Sequence, residues 1–476
     1  MNAPLLFTLT PVAAAVFSFI FFRHRPRLVI LLSTALAAGM AWTAAAIPLD
    51  APLVIFHFPI PIAGTFALLG RQFIFDPNLR SAVAFLFIGG SALFGGSLAI
   101  TPNRFFLPVG WVVLSLFSAS LFVQPFLYAA FFLFLSVLVL SLLLSDPSHP
   151  VPRGSIRWIV YSALGMLFLL LAGSELSRLE AFPSSPADAE SLFVQLCLGF
   201  GLLLSFPPFH FWLPDVVDDS PPYNVSFILS LYIGAVVFFL LRFLDGFSWL
   251  RLSPETYLVL KFGGIGMCLV GGFFSVFQNR LGRCMGYLSL CNLGTILLGL
   301  SLSGPVSAQT TLVLLAARGL SLLVWGVSFN ALRPKHAEDR LEDLRGLAAR
   351  RPLAFSAAML SALSLVGAPG LMSFPPLWAV LRSMTASPYG VLPAGVPAAA
   401  LLLSTIAGVL SIFRFARPML LFTFSAPAPT AEKGRSLRLF LLVAIASLFF
   451  LGIFPQIYLP WVAKSANAFV NIMGGP

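Results

Sequence analysis

Fourteen times along this chain an apolar run of about 20 residues recurs, the length a helix needs to cross the hydrocarbon core of a bilayer. The runs are 3–22, 28–46, 82–100, 105–123, 125–144, 157–174, 190–213, 224–244, 255–277, 284–303, 309–331, 353–381, 394–415 and 437–463. Lipid offers no hydrogen bonds, so each run must satisfy its own backbone, and a helix does this within one segment. Composition excludes a water-soluble alternative. Hydrophobic residues make up 59% and charged residues 9%, with a mean hydropathy of +0.96; soluble domains carry about 25% charged residues. The expected fold is an all-α membrane protein of about 14 transmembrane helices. The first run has no basic stretch before it and reads as a spanning helix rather than a cleaved leader. Residues 47–80 are apolar but dotted with Pro and Gly, which predicts a surface hairpin or re-entrant loop.

A net charge of +11 would point a soluble protein toward nucleic acid. In a membrane chain the position of the cations matters more than their sum, and no nucleic-acid partner is expected; lipid is the surrounding partner. With the N-terminus outside, the inside loops collect Arg23, Arg25 and Arg27, then Arg153 and Arg157, Arg280 and Arg283, and Arg345, Arg350 and Arg351. The outside receives a thinner set that includes Arg71, Arg80, Arg178 and Arg382. This bias predicts both termini outside. Asp215, Asp218 and Asp219 fall on the inside and read as a solvated loop. Lys261 and Arg318 are left within runs.

The seventh run ends in "SFPPFHFWLPD" (205–215), and the twelfth contains "SFPPLW" (373–378). Helix interiors reject proline, so Pro207, Pro208, Pro375 and Pro376 predict two broken helices. The copies lie five runs apart and so cross the membrane in opposite directions, the pattern of an inverted repeat of helices 4–8 against 9–13. Interrupted helices in such folds line the transport pathway, because their freed backbone groups can face a wet cavity. The chain then divides into residues 1–104, a first repeat at 105–244, a second at 255–415, and a C-terminal loop and helix at 416–476.

"FHFWLPD", "NRLGRCMGYLSLCNLGTILLGL" (279–300), "LEDLRGLAARRPL" (341–353) and "LSLVGAPGLMSF" (363–374) together resemble the proton-conducting antiporter-like subunits of complex I and of Mrp-type cation antiporters. "FIFDPNLRSAVAFLF" (73–87) and "FLYAAFFLFLSVLVLSLLL" (126–144) fit the same pattern. The resemblance implies fourteen helices with two inverted five-helix units, a bacterial-type inner membrane, and other membrane subunits as partners. It also implies a central row of buried lysines and glutamates. This chain departs from that row. The positions that match its charged residues are Phe132, Leu203, Gly234, Leu320 and Leu377, and the polar position of the tenth helix is Asn292.

Three ionisable groups and one amide remain as candidates for an ion path: His210, Asp215, Arg318 and Asn292. A charge at the bilayer centre costs about 3 kcal/mol or more, so Arg318 needs acceptors; Asn292, Ser289, Asn330 or a carbonyl freed at a helix break can supply them. Arginine is not deprotonated in proteins, so it cannot replace a shuttling lysine. Tying helices together and forming an electrostatic barrier both fit it. His210 can titrate near neutral pH, either to relay protons or to cap the backbone freed by Pro207 and Pro208. The segment 333–351 mixes charges at helical spacing and predicts an inside amphipathic helix open to a peripheral subunit.

No phosphate-binding loop, dinucleotide motif, CxxC cluster or catalytic triad spacing occurs. Thus no cofactor, metal or catalytic residue is expected, although the resemblance leaves room for a subunit of an NADH:quinone oxidoreductase-like translocase. Cys284 and Cys291 share a helix face but have no histidine beside them. Three roles fit these residues. The chain is a subunit of a complex-I-like or Mrp-like assembly with a degenerate proton path and a scaffold or coupling role. Alternatively it is a working proton or cation translocator using His210 and water. The third is a membrane partner of a soluble module, such as a bicarbonate-uptake or hydrogenase unit.

Overall fold

A computed structural model describes residues 2–47, 53–55, 58–60, 63–68, 70–100, 102–144, 152–181, 186–302, 305–332, 344–386, 395–421, 434–466, 469 and 471. Ten helices in it are long and apolar enough to cross a membrane, and four shorter apolar helices fall in the remaining runs. Together they account for all fourteen predicted spans. The chain is a multi-pass membrane protein.

The helices are α1 (Ala3–Phe21), α2 (Pro26–Ala46), α3 (Arg80–Gly96), α4 (Phe106–Phe122), α5 (Ala129–Leu144), α6 (Arg153–Ala181) and α7 (Pro186–Leu203). A short α8 (Trp212–Asp219) precedes α9 (Pro222–Gly246), α10 (Pro254–Phe277), α11 (Leu281–Leu300) and α12 (Pro305–Leu332). Then come α13 (Pro352–Val366), α14 (Phe374–Ala386), α15 (Gly395–Leu420), α16 (Arg435–Ile453) and α17 (Leu459–Ala466). The segment before α3 carries strands β1 (Leu53–Ile55), β2 (Phe58–Ile60), β3 (Thr65–Leu68) and β4 (Arg71–Ile74). β1 pairs antiparallel with β2, while β3 and β4 pair with Thr65 opposite Ile74 and β4 adds β5 (Val123–Gln124). The predicted surface hairpin is thus two hairpins.

Burial sorts the helices into centre and rim. In α9 and α11, 89% of the most apolar 18-residue stretch is buried, against 33% in α1 and 22% in α16. The rim displays Leu9, Leu31, Leu403, Phe413 and Val443, as surfaces solvated by lipid do. Glycine sets the closest approaches at the centre. A Cβ on Gly271 of α10 would lie 2.6 Å from the Tyr287 carbonyl of α11, and one on Gly286 of α11 would lie 2.5 Å from Pro214 Cα of α8. Both obstacles are backbone, so neither can swing aside.

Several expected boundaries move. The run 190–213 is not one helix, since α7 stops at Leu203 and α8 starts at Trp212. The run 353–381 divides into α13 and α14, and the run 437–463 into α16 and α17, with Pro455 just past the end of α16. Of the predicted amphipathic helix at 333–351, residues 333–343 lie outside the described residues. The rest forms a single turn (Leu347–Arg350) with Leu344, Leu347 and Ala348 buried.

Candidate functional site

The two breaks are built differently. At the first, the last turn of α7 closes with Leu204 N–H on the Phe200 carbonyl, and Phe206 N–H reaches back to Gly201 at 2.8 Å. Ser205 takes a positive φ of 63°, which costs an L-residue about 1–2 kcal/mol. Pro207 and Pro208, joined by a cis bond, lie inside the gap. A single 3₁₀ turn (Phe209–Phe211) then leads into α8.

At the second, Gly367 and Gly370 make the break, with φ of 89° and 81°. Gly367 N–H and Ala368 N–H both donate to the Leu363 carbonyl and cap α13. Pro375 and Pro376 do not break a helix here. They occupy the first turn of α14, where a missing N–H costs nothing. The repeated sequence therefore marks a gap in one copy and a helix start in the other.

Beside the second break lies a buried polar cluster. Arg318 of α12 is fully buried. Its Nε donates to the Leu229 carbonyl of α9 at 3.1 Å, and Nη1 donates to the Ser289 carbonyl at 2.9 Å and Asn292 Oδ1 at 3.0 Å. Nη2 donates to Ser289 Oγ at 2.7 Å. Four contacts thus engage a guanidinium with five N–H groups, and every acceptor is neutral. Leu229 can serve because residues Ile228–Tyr232 form a π-turn, which loosens the helical ladder. Asn292 faces both ways. Its Oδ1 receives Arg318, and its Nδ2 donates to the Leu365 carbonyl at 2.8 Å, one of the last carbonyls of α13 that have no partner in their own helix. Ser321 Oγ, 2.9 Å from Ser364 Oγ, ties α12 to α13 at the same level.

The structure brings Arg318 and Asn292 together and leaves the other two candidates elsewhere. His210 sits in the 3₁₀ turn at the first break, 6% exposed, with its ring 4.2 Å from that of Phe211. Its Nδ1 is buried without a hydrogen-bond partner among the described residues. Asp215 lies on α8 in an ionic cluster with Asp218 and Asp219, which corrects the reading of a solvated loop. It pairs with Arg157 and with Arg283 Nη2 at 3.2 Å. Asp218, whose side chain is 1% exposed, takes Arg280 Nη1 at 2.7 Å and Arg283 Nε at 3.2 Å. Asp219 accepts Gly154 N–H at 3.4 Å. The cause is packing: α8 rests on Gly286 of α11, and this sets the acids against the basic first turn of α11. Burial pushes the Asp218 carboxyl up, and the two guanidiniums pull it back by less.

At the positions of the expected charged row, Leu203 and Leu377 are buried and Phe132 packs edge-on against Phe73. A Cβ on the buried Gly234 would meet nothing within 4 Å. Sequence reasoning named Ser289 and Asn292 as partners of Arg318 but missed Leu229, since nothing in "ILSLY" announces a π-turn. Asn330, also named, is exposed.

Membrane-spanning helices with two interruptions, the second beside a buried polar knot, define a multi-pass membrane protein of the broken-helix class. The family described as NADH:quinone oxidoreductase/Mrp antiporter, TM, matches residues 127–402, more than half of the chain, and the chain belongs to that family. Among its relatives, NADH-quinone oxidoreductase subunit N of Ectopseudomonas mendocina is 30% identical over 344 residues, 66% of either chain. Subunit N 2 of Acidobacterium capsulatum is 26% identical over 472 residues, 92% of either chain. The match spans just under two thirds of the first relative and nearly all of the second. Among solved structures, a chain of respiratory complex I from Thermus thermophilus superposes with a TM-score of 0.76 at 20% identity, over 99% of this chain and all of that one. A chain of the Mrp complex from Dietzia sp. superposes at 0.77 and 16% identity, over 99% and 97%. These two likenesses establish the fold.

Proposed function

We propose that the chain is an antiporter-like membrane subunit of a complex-I-like or Mrp-like assembly whose own central proton path is closed, leaving it a scaffold or coupling role. The observation that carries this reading is the Arg318 knot. A cation held by neutral oxygens near the middle of α12 is a fixed positive charge, and a fixed positive charge repels protons and metal cations alike. Among the described residues, none of the groups bonded to it is ionisable, so none can relieve that barrier. The apolar residues at 132, 203, 234, 320 and 377 support the same conclusion. The chain lies in a bacterial-type inner membrane with both termini outside, as its basic residues favour. The two inverted five-helix units at 105–244 and 255–415 belong to this reading, as does a peripheral partner near 333–351.

Translocation through His210 is the second reading, favoured by that residue's buried, unpartnered Nδ1 at the first break. Proton flux decides between them. The assembly, purified with this subunit and reconstituted in proteoliposomes, is assayed with wild-type chain and with His210→Ala. A closed path predicts equal flux from the two. Flux abolished by His210→Ala refutes it.

A further inference from the structure

We propose that a cluster of neutral polar groups between α6, α8 and α9 binds ordered water, held by Trp158, Ser162, Trp212 and Tyr232. The water is a structural ligand that ties three helices together beside the first break. It does not rest on whether the central path conducts.

Ser155, Trp158 and Ser162 recur at i, i+3 and i+7 on α6, a spacing that puts them on one face. The first turn of that helix lies against α8, since a Cβ on Gly154 would be 2.5 Å from the Val216 amide nitrogen. One turn further on, Trp158 stacks on Trp212 of α8, with ring centroids 5.6 Å apart and planes 16° apart. The Trp158 ring also meets Tyr232 of α9 edge-on at 5.1 Å. Tyr232 is the last residue of the π-turn that supplies Leu229 to Arg318. Both indoles and Tyr232 are fully buried, and Ser155 and Ser162 are 1% exposed. These contacts gather polar groups from three helices into one enclosed shell.

The members of this shell do not satisfy one another. Among the described residues, neither indole N–H has an acceptor and Ser155 Oγ has no partner. Stacking accounts for the indoles. Two rings packed face to face hold their N–H groups at the edge of the stack, and an indole nitrogen cannot accept from its neighbour. Ser162 Oγ and Tyr232 Oη are 3.4 Å apart, longer than the usual O–H···O bond of about 2.5–3.0 Å. Comparable groups elsewhere are paired within the chain: Trp111 Nε1 donates to Ser33 Oγ at 3.3 Å, and Tyr223 donates to the Leu93 carbonyl. Buried polar groups as a rule bond either to protein or to ordered water. An indole N–H only donates, so the ligand must accept, which excludes a cation. Water offers two lone pairs to the N–H groups and two O–H groups to the oxygens of Ser162 and Tyr232. It is also the smallest ligand that does both, as a closely packed interior requires.

Radiolytic hydroxyl-radical footprinting of the full chain in mild detergent tests this. The radical forms where water sits, so a fully buried ring is oxidised only when a bound water lies against it. Trp111, Trp325 and Tyr223, at most 2% exposed, serve as references buried to the same degree. Trp158, Trp212 and Tyr232 are expected to oxidise several-fold faster than these three. Tyr232→Phe combined with Ser162→Ala removes both hydroxyls and keeps the ring. In that variant, oxidation at Trp158 and Trp212 falls several-fold while Trp325 is unchanged. The comparison within the wild-type chain needs no variant, so it decides the matter even where the double variant does not fold. Oxidation of Trp158, Trp212 and Tyr232 at the rate of the references overturns the proposal. So does a folded double variant in which both indoles still oxidise at the wild-type rate.

Discussion

Replacing Arg318 separates the need for its charge from the need for its hydrogen bonds. In Arg318→Met the four donated bonds disappear. Asn292 Oδ1 and Ser289 Oγ lose the donor that faced them, and an unsatisfied buried acceptor costs about 1–3 kcal/mol. Against that loss, the variant no longer buries a cation, which itself costs about 3 kcal/mol at the bilayer centre. No carboxylate is orphaned, because none pairs with Arg318. Two such acceptors cost about 2–6 kcal/mol against about 3 recovered, so the balance lies between a gain of about 1 and a loss of about 3 kcal/mol. Arg318→Lys keeps the cation in place but removes the fork that reaches both Leu229 on α9 and Ser289 on α11. Losing two bonds from a charged donor costs about 3–6 kcal/mol. The conservative substitution is thus the more damaging one.

Thermal unfolding of the three proteins in one detergent, followed by intrinsic fluorescence, checks the order: methionine near wild type or somewhat below it, and lysine below both. A lysine variant as stable as wild type, with a methionine variant that fails to fold, refutes the argument. That result would mean the positive charge itself is needed, as it would be with an anionic group facing it from outside this chain.

Three further outcomes follow from the same geometry. Asn292→Leu strips the Leu365 carbonyl of its donor and Arg318 of an acceptor; a loss of about 2–4 kcal/mol is expected, with faster amide exchange around Gly367 and Ala368. Asp218→Asn tests the buried acid. Its carboxyl is raised on folding, so the folded state holds the proton more tightly, and this group's contribution to stability falls as pH rises above the unfolded value near about 4. Melting temperatures of wild type against the asparagine variant should therefore lose ground with rising pH, and a gain would show that the guanidiniums outweigh burial. Gly286→Ala and Gly234→Ala form a matched pair. The first drives a methyl into the backbone of Pro214 and costs about 1–3 kcal/mol, whereas the second enters open space and stabilises its helix by about 0.5–1 kcal/mol, both read from melting curves.

The spans were legible because length and apolarity alone decide them: each of the fourteen runs holds a long apolar helix, although three of the runs end in a break and a second, shorter helix. The breaks were legible only in part. Proline marked both neighbourhoods, but a proline pair fits a gap and a first helical turn equally well, and the residues that turn the chain at the second break are Gly367 and Gly370. Asp215 and Asp218 stand three apart, a spacing that puts them on one helix face; the helix itself was hidden by the prolines before it. The partners of Arg318 follow the same logic. Ser289 and Asn292 are also three apart and could be named from "SLCN", while Leu229 serves through a backbone irregularity that side-chain pattern does not encode.

Backbone and neutral side chains hold the broken helices here. A break is made by backbone: prolines and a left-handed serine at one site, two left-handed glycines at the other. What it then requires is acceptors and donors for the groups it frees, and a neutral amide meets that need as well as a lysine does. Asn292 does so at Leu365, with Arg318 fixed behind it by oxygens from α9 and α11. Charge at the central positions is therefore separable from the architecture around them. The closed path we propose is compatible with intact breaks, because the bonds described at them come from backbone, Ser321 and Asn292 rather than from a lysine or a glutamate.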